Sequence, residues 1–352
     1  MKIKRIAITA MAVAGVAWMA APMATGSASD ANSSVPRYNH IVEIMMENSK
    51  YDQIIGNANA PAINQLANHY GLATNYFGVT HPSEPNYMTN IAGDYFGVQD
   101  DNQFYCTPAM ATTDPYCGGT TVDHTVNAPT LADQLTARGK TWKGYFQSLP
   151  PAPSNVVMVG PNANGPYTFK YPSNSNALYA SKHNPFVNFT GTQGALDKMV
   201  DDSQLAIDLQ HHALPNFSYV VPDQCHDMHG TSSCTGAAGL TQLGDAYVGA
   251  MVKMIMHSQM WHEGRNAIVV TWDEDDFSDV GAPNTGCCGA NPGGGHVATI
   301  VITNKDDDHI VDNTPYNHYS LLRTFDAAFG LKPLAHAGDG VVPPMAKLFN
   351  VN

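Results

Sequence analysis

Glu47 and Asn48 close an apolar run in the stretch IVEIMMENSKYD. Asp273, Glu274, Asp275 and Asp276 close a second, and PDQCHDMH, which holds His226 and His229, closes a third. GGGH, ending at His296, stands just before a fourth. Glu47, Asp273 and Glu274 are hard oxygen donors, and with a deprotonated Ser83 they suit one divalent cation that prefers oxygen. A cation there lowers the pKa of the serine hydroxyl and offsets the charge of an arriving phosphate. Asn48 can donate to a phosphate oxygen. His226, His229 and His296 can donate hydrogen bonds or protons where a leaving oxygen develops charge. Phosphoryl transfer needs mainly positioning and charge stabilisation, which this inventory supplies.

Each piece alone has an ordinary explanation. An acidic run is commonly a solvated loop, and the chain has 15 histidines to scatter over its surface. Ser83, in THPSEPNYMTNIAG, stands at a helix N-cap position, with Pro85 in the first turn and Tyr87, Met88 and Ile91 at helical spacing. A nucleophile there would have its phosphorylated form favoured by the exposed N–H groups and the macrodipole. The joint placement of the clusters, rather than any single residue, carries the chemical reading.

That placement requires elements able to deliver it. Ile41–Met46, Phe217–Val221 and Ala267–Trp272 are continuous apolar runs, which read as buried parallel strands, and Val297–Thr303 is a fourth. Helical patterns lie between them: one opened by Pro129-Thr130 and closed by Gly139, one from Thr241 to Trp261, and one from Ser320 to Phe329 ending at Gly330. The alternation predicts an α/β fold with a mostly parallel sheet sandwiched by helices. In such sheets ligands bind beyond the carboxyl ends of the strands, where the polar clusters fall. Phe104 to Gly119 and Pro150 to Ser181 read as long excursions from the sheet, over a pocket.

Lys2, Lys4 and Arg5 followed by an apolar run and Gly26-Ser27-Ala28 read as a secretory signal peptide over residues 1–28, leaving a single domain over 29–352. The chain is then expected to be exported, periplasmic or secreted, with no stable membrane insertion once the signal is cleaved. The formal charge of −13 leaves no basic footprint for nucleic acid, so an anionic substrate needs local cations. Of the six cysteines, Cys106 and Cys117 are the easiest pair by distance along the chain. Cys225, Cys234, Cys287 and Cys288 leave three connectivities open. A structural zinc site is the weaker alternative, because CxxC spacing is absent.

The blocks HIVEIMMENSKYDQIIG, THPSEPNYMTNIAGD, VVPDQCHDMHG, VVTWDEDD and YNHYSLLRTFDAAFGL resemble the acid-phosphatase-type phosphoesterases of bacteria and fungi. These are related to the bacterial phospholipases C and belong to the alkaline phosphatase superfamily. The resemblance runs from about His40 to Leu331. It implies a large twisted sheet with helices on both faces, one divalent metal ion, and a phosphate ester substrate, phosphoinositides among the possibilities. It implies Glu47, Ser83, Asp273 and Glu274 as metal ligands, Asn48 as a phosphate contact, and Ser83 as the nucleophile that becomes phosphoserine. Some relatives carry two aspartates where this chain has Asp273-Glu274. His226, Asp227, His229 and His296 match the region where two-metal members hold their other ion. The resemblance assigns these histidines to phosphate and leaving-group contact, adds His183 in KHNPF to the pocket, and leaves His318 a structural role.

A sulfatase is excluded by the motif it would need, since neither Ser83-Glu84-Pro85-Asn86 nor Cys106-Thr107-Pro108-Ala109 is followed by arginine. A phospholipase C-type phosphodiesterase shares the inventory and differs in pocket shape. A secreted binding module using the acidic residues for a structural calcium fits the composition, but leaves the Ser83 helix start without a purpose.

Overall fold

A computed structural model of the chain describes residues 35–101, 105–106, 122–149, 178–234, 239–282, 285–305 and 309–350, all within one compact unit, Ala31–Asn352. Residues 1–34, most of the two predicted excursions, and Cys117 lie outside the described residues.

The four apolar runs are strands. In chain order the strands are β1 (His40–Met46), β2 (Gly71–Phe77), β3 (Tyr105–Cys106), β4 (Val122–Asp123), β5 (Trp142–Phe146), β6 (Met199–Asp201), β7 (Phe217–Val221), β8 (Asn266–Trp272), β9 (His296–Thr303), β10 (Val311–Asp312) and β11 (Tyr316–Asn317). β3 and β4 form a separate ribbon. The others make one sheet in the order β10-β2-β9-β8-β1-β7-β5-β6, with β11 also on β2. β1 sits at its centre, parallel to β7 and β8. Its residues after His40 are all buried, which is why the run is continuous rather than alternating. A fully buried Val, Ile or Phe of this kind contributes about 1.5–3 kcal/mol.

One expectation needs correcting. β9, read from sequence beside the parallel strands, runs antiparallel to both β8 and β2. A strand buried on both faces shows the same apolar run in either direction, so periodicity cannot give its sense. The reversal explains why a strand start, His296, lies at the same edge as the ends of the parallel strands: it is paired with Phe77, the last residue of β2.

Helices Pro61–His69 and Leu240–Met256 pack together, and helices Ser83–Ala92, Leu131–Ala137 and His318–Phe329 form a second group. β1 is covered on both of its faces. The caps are local and legible. Thr130 Oγ1 accepts from Asp133 N at 3.2 Å, and Gly330, at φ 74°, ends the helix His318–Phe329. The stretch predicted as one helix to Trp261 stops at Met256, and Ser258 caps a separate 3-10 turn, Gln259–His262. Cys225 bonds Cys234 and Cys287 bonds its neighbour Cys288, settling the four cysteines that sequence left open.

Candidate active site

The turn after β2 delivers Ser83. Gly78 donates to Gly295 O and accepts from Gly294 N, at 3.0 and 2.9 Å. A Cβ on Gly78 would lie 2.7 Å from Asp273 O, so glycine lets this turn press against the end of β8. Asn86, in the first turn of the following helix, reaches back: its Oδ1 accepts from Val79 N and Thr80 N at 2.9 and 3.1 Å, and its Nδ2 donates to Thr80 O at 2.7 Å. Ser83 is not the cap that its position in the motif predicts. Pro82 takes the N-cap position and makes no side-chain cap, and Ser83 is the first helical residue. The hydroxyl, relieved of capping, turns to the carboxylates. Ser83 Oγ lies 3.1 Å from Glu47 Oε2 and 2.9 Å from Glu274 Oε1, and the residue is 1 % exposed. One hydroxyl proton cannot serve two carboxylates at once, so the contact calls for a proton on one of them or a cation between them.

Glu47 and Asp273 are held by extensions of the sheet ladder. Glu47 N donates to Asp227 O at 2.8 Å and Asp273 N to Met46 O at 3.0 Å. Asn48, at φ 36°, donates its backbone N–H to Asp273 Oδ1 at 3.3 Å and its Nδ2 to Glu274 Oε1 at 3.1 Å. In this arrangement Asn48 orients two carboxylates. Beneath them His318 Nε2 donates to Asp273 O at 2.6 Å while its Nδ1 accepts from Tyr76 at 3.0 Å, and burial lowers its pKa to about 4. Asn317 caps the helix that His318 begins.

A second set of donors meets Glu47 from the other side. His183 is buried, stacked on Tyr87 at 5.1 Å between centroids, with Nε2 3.0 Å from Glu47 Oε1 and Nδ1 3.3 Å from Asp227 Oδ2. His229 Nδ1 donates to Gly230 O at 2.9 Å, which leaves a lone pair on Nε2. Ligand atoms of Glu47, His183 and His229 all lie within 4.8 Å of one another.

The structure does not bring every predicted residue into this cluster. His226 Nδ1 pairs with Asp223 Oδ1 at 2.8 Å, and its ring lies 5.9 Å from Tyr247. His296 Nε2 donates to Thr74 O at 3.0 Å, and its ring stacks on Tyr51 at 4.6 Å. The structure instead adds three residues that the sequence reading passed over. His81 Nδ1 lies 2.5 Å from Glu274 Oε2 and its ring packs on Phe277 at 4.4 Å. Lys182 Nζ lies 3.3 Å from His229 Nε2 and 2.8 Å from Asp101 Oδ2. The signal for His81 was its place two residues before Ser83; Lys182 and Asp101 had none in the local pattern.

Glu47, Asp227, Asp273 and Glu274 are each 0 % exposed. Burial pushes the Asp273 and Asp227 carboxyls well above their ordinary range, and the neighbouring Glu47 charge adds to both shifts. Burial raises Glu274 to about 7 against the opposing influence of the nearby His81. Uncompensated carboxylates of this kind cost several kcal/mol each. Glu47 Oε1, His183 Nε2, Asp227 Oδ2, Asp273 Oδ2 and Glu274 Oε2 all lack an aligned hydrogen-bond partner. Burial keeps His183 neutral, so its 3.0 Å approach to Glu47 without hydrogen-bond alignment suits a guest held between them. The donor set therefore fits a divalent metal ion, with Glu47 available to it from either side.

The chain matches the Phosphoesterase family over residues 57–332. It is 30% identical over 348 residues to the phosphatidylinositol-3-phosphatase of Mycobacterium tuberculosis, spanning 97% of this chain and 94% of that protein. It is 25% identical over 306 residues to the phosphate-repressible acid phosphatase of Penicillium chrysogenum, which covers 84% of this chain but 60% of the longer fungal protein. Among solved structures, an alkaline phosphatase superfamily protein from Vibrio parahaemolyticus superposes with a TM-score of 0.50 at 15% identity, over 84% of this chain and 67% of that one. That last likeness establishes the fold.

Proposed function

The chain belongs to the Phosphoesterase family and is a phosphoric ester hydrolase, and from that premise we propose that it is an exported, metal-dependent phosphomonoesterase of the acid phosphatase type, acting through a phosphoserine at Ser83. The observation that carries the reading is the Ser83 hydroxyl, buried between Glu47 and Glu274 at the start of a helix it does not cap. Ser83 Oγ attacks phosphorus, the ester P–O bond breaks, and the leaving alkoxide takes a proton. Water then attacks the phosphoserine, releases inorganic phosphate and restores the hydroxyl. Glu47 and Glu274 are the acceptors within reach of the hydroxyl proton.

Glu47, Ser83, Asp273 and Glu274 would hold the metal on one side, and Glu47, His183 and His229 on the other. When bound, the ion supplies Lewis acidity and lowers the hydroxyl pKa. Two imidazoles extend the oxygen set predicted from sequence, and favour a transition metal over calcium or magnesium on the His183 side. Asn48 fixes the positions of Asp273 and Glu274, and keeps its predicted contact with phosphate as part of the proposal.

The name of the mycobacterial relative points to phosphoinositide monoesters as a substrate class to include. The test is hydrolysis of p-nitrophenyl phosphate by the purified protein, abolished by EDTA and restored by a divalent metal. Ser83→Ala should lower turnover by at least about 10³-fold; full activity in that variant removes Ser83 as the nucleophile. A panel adding phosphatidylinositol 3-phosphate and a phosphodiester separates monoesterase from phospholipase C. A protein that hydrolyses none of these but melts lower in EDTA is a calcium-stabilised binding module instead. Appearance of the mature protein outside the cytoplasm tests export.

A further inference from the structure

A phosphate monoester brings about two negative charges into a chain of net charge −13, beside four buried carboxylates. A single divalent ion does not balance that sum. Lys182 supplies a cation at the place required. It is 7 % exposed, and its ammonium meets two groups, Asp101 Oδ2 at 2.8 Å and His229 Nε2 at 3.3 Å. Its next neighbour in the chain, His183, touches Glu47. Lys50, in contrast, pairs with Asp279 at 2.9 Å on the exposed rim.

The partner of Lys182 is informative. Asp101 Oδ1 accepts the backbone N–H of Glu84, the residue after Ser83, at 2.9 Å. One partly exposed carboxylate thus bridges the ammonium and the first turn of the nucleophile helix. Helix N-termini and ammonium groups are both anion sites, and an anion spanning them stands where oxygens of a phosphoryl group on Ser83 would be received. An ammonium has three N–H donors: Asp101 takes one, and the one facing His229 Nε2 is released when that nitrogen holds the metal.

We infer that Lys182 binds the phosphoryl oxygens during transfer, with the Asp101 carboxylate holding that position in the resting enzyme. Lys182 then provides a positive charge in addition to that of the metal. The inference rests on the phosphatase reading above.

Two variants with opposite expected signs test it, read by competitive inhibition with inorganic phosphate and by calorimetric titration of inorganic phosphate into the metal-loaded protein. Lys182→Met should raise the phosphate inhibition constant at least tenfold and lower kcat/KM about 100-fold, with metal content unchanged, and Lys182→Arg should recover part of the loss. Asp101→Asn keeps the oxygen that accepts from Glu84 but removes the competing charge, and should tighten phosphate binding several-fold. A structural tie predicts no tightening. The inference is overturned by Lys182→Met that binds phosphate like the wild type, or by Asp101→Asn that leaves binding unchanged or weakens it. If Lys182→Met does not fold, the Asp101→Asn result decides. Wild-type protein that binds phosphate but hydrolyses no ester would sink the phosphatase reading and leave Lys182 to be judged by calorimetry.

Discussion

Glu43 lies within β1 and Glu47 directly follows its last residue, and the helix Ser83–Ala92 meets both. Asn90 near its end donates to Glu43 Oε1 at 2.9 Å, while Ser83 at its start meets Glu47. Both glutamates are 0 % exposed. Glu43 is a lone carboxyl among tyrosines, and burial raises its pKa to about 8 against the single hydrogen bond from Asn90. Glu47 shares its surroundings with Asp227, Asp273 and Glu274. A solitary buried carboxyl escapes the desolvation penalty by keeping a proton. Four together would need four protons, and a shared cation is the economical alternative. The same residue type is thus a lone core carboxyl within β1 and, just past its end, part of a carboxylate cluster suited to a cation.

Breaking the ligand side should have the largest effect. Glu47→Gln keeps size but weakens a hard-cation site, so kcat/KM should fall by at least about 10³-fold with loss of bound metal and an unchanged far-ultraviolet circular dichroism spectrum. A collapsed spectrum would mark the ion as structural. Metal removal comes next. An ion held at 1,000 times its Kd stabilises by about 4 kcal/mol, so EDTA should lower the melting temperature by roughly 8 °C, in wild type and in Glu43→Gln alike. No shift would deny that the carboxylates share an ion.

The Glu43 side is sharpened by pH. Its carboxyl holds a proton more tightly folded than unfolded, so stability falls as pH rises from the unfolded value near 4.5 towards the folded value of about 8. Glu43→Gln removes that dependence. It should raise the melting temperature by about 2–4 °C at pH 8 relative to wild type and by less at pH 5, with activity within about twofold. Equal shifts at both pH values would show Glu43 to be ionised in the fold. Smallest is Thr130→Ala, remote from both glutamates, which removes a cap worth about 1 kcal/mol. Its effect should be the same with and without EDTA; a larger loss in EDTA would tie the cap to the ion.

Much of this was legible in the sequence, for identifiable reasons. Continuous apolar runs mark buried strands, and polar residues at their ends mark the ligand edge, so Glu47, Asp273 and Ser83 could be named before their contacts were known. The direction of β9 was not legible, because burial on both faces erases any trace of strand sense. The conformation of Ser83 was hidden by Pro82, which takes the cap position one residue early. His81, Asp101 and Lys182 come from turns far apart in the chain, and only tertiary contact relates them. His226 and His296 show the opposite error, since a histidine beside a rich motif can spend its nitrogens on Asp223 or Thr74 instead.

The reversed sense of β9 has one more result. Because β8 and β9 are adjacent and antiparallel, the chain from Asp273 to Gly295 leaves and re-enters the sheet at a single edge, without a crossover to the far end. Close packing at Gly286 and Gly293–Gly295 pins the return of this hairpin-like collar, whereas changes around Phe277–Ala282 would alter its outer part and leave the strands beneath in register. The sheet thus carries, at its ligand edge, a short stretch of chain whose length is free of the strand register.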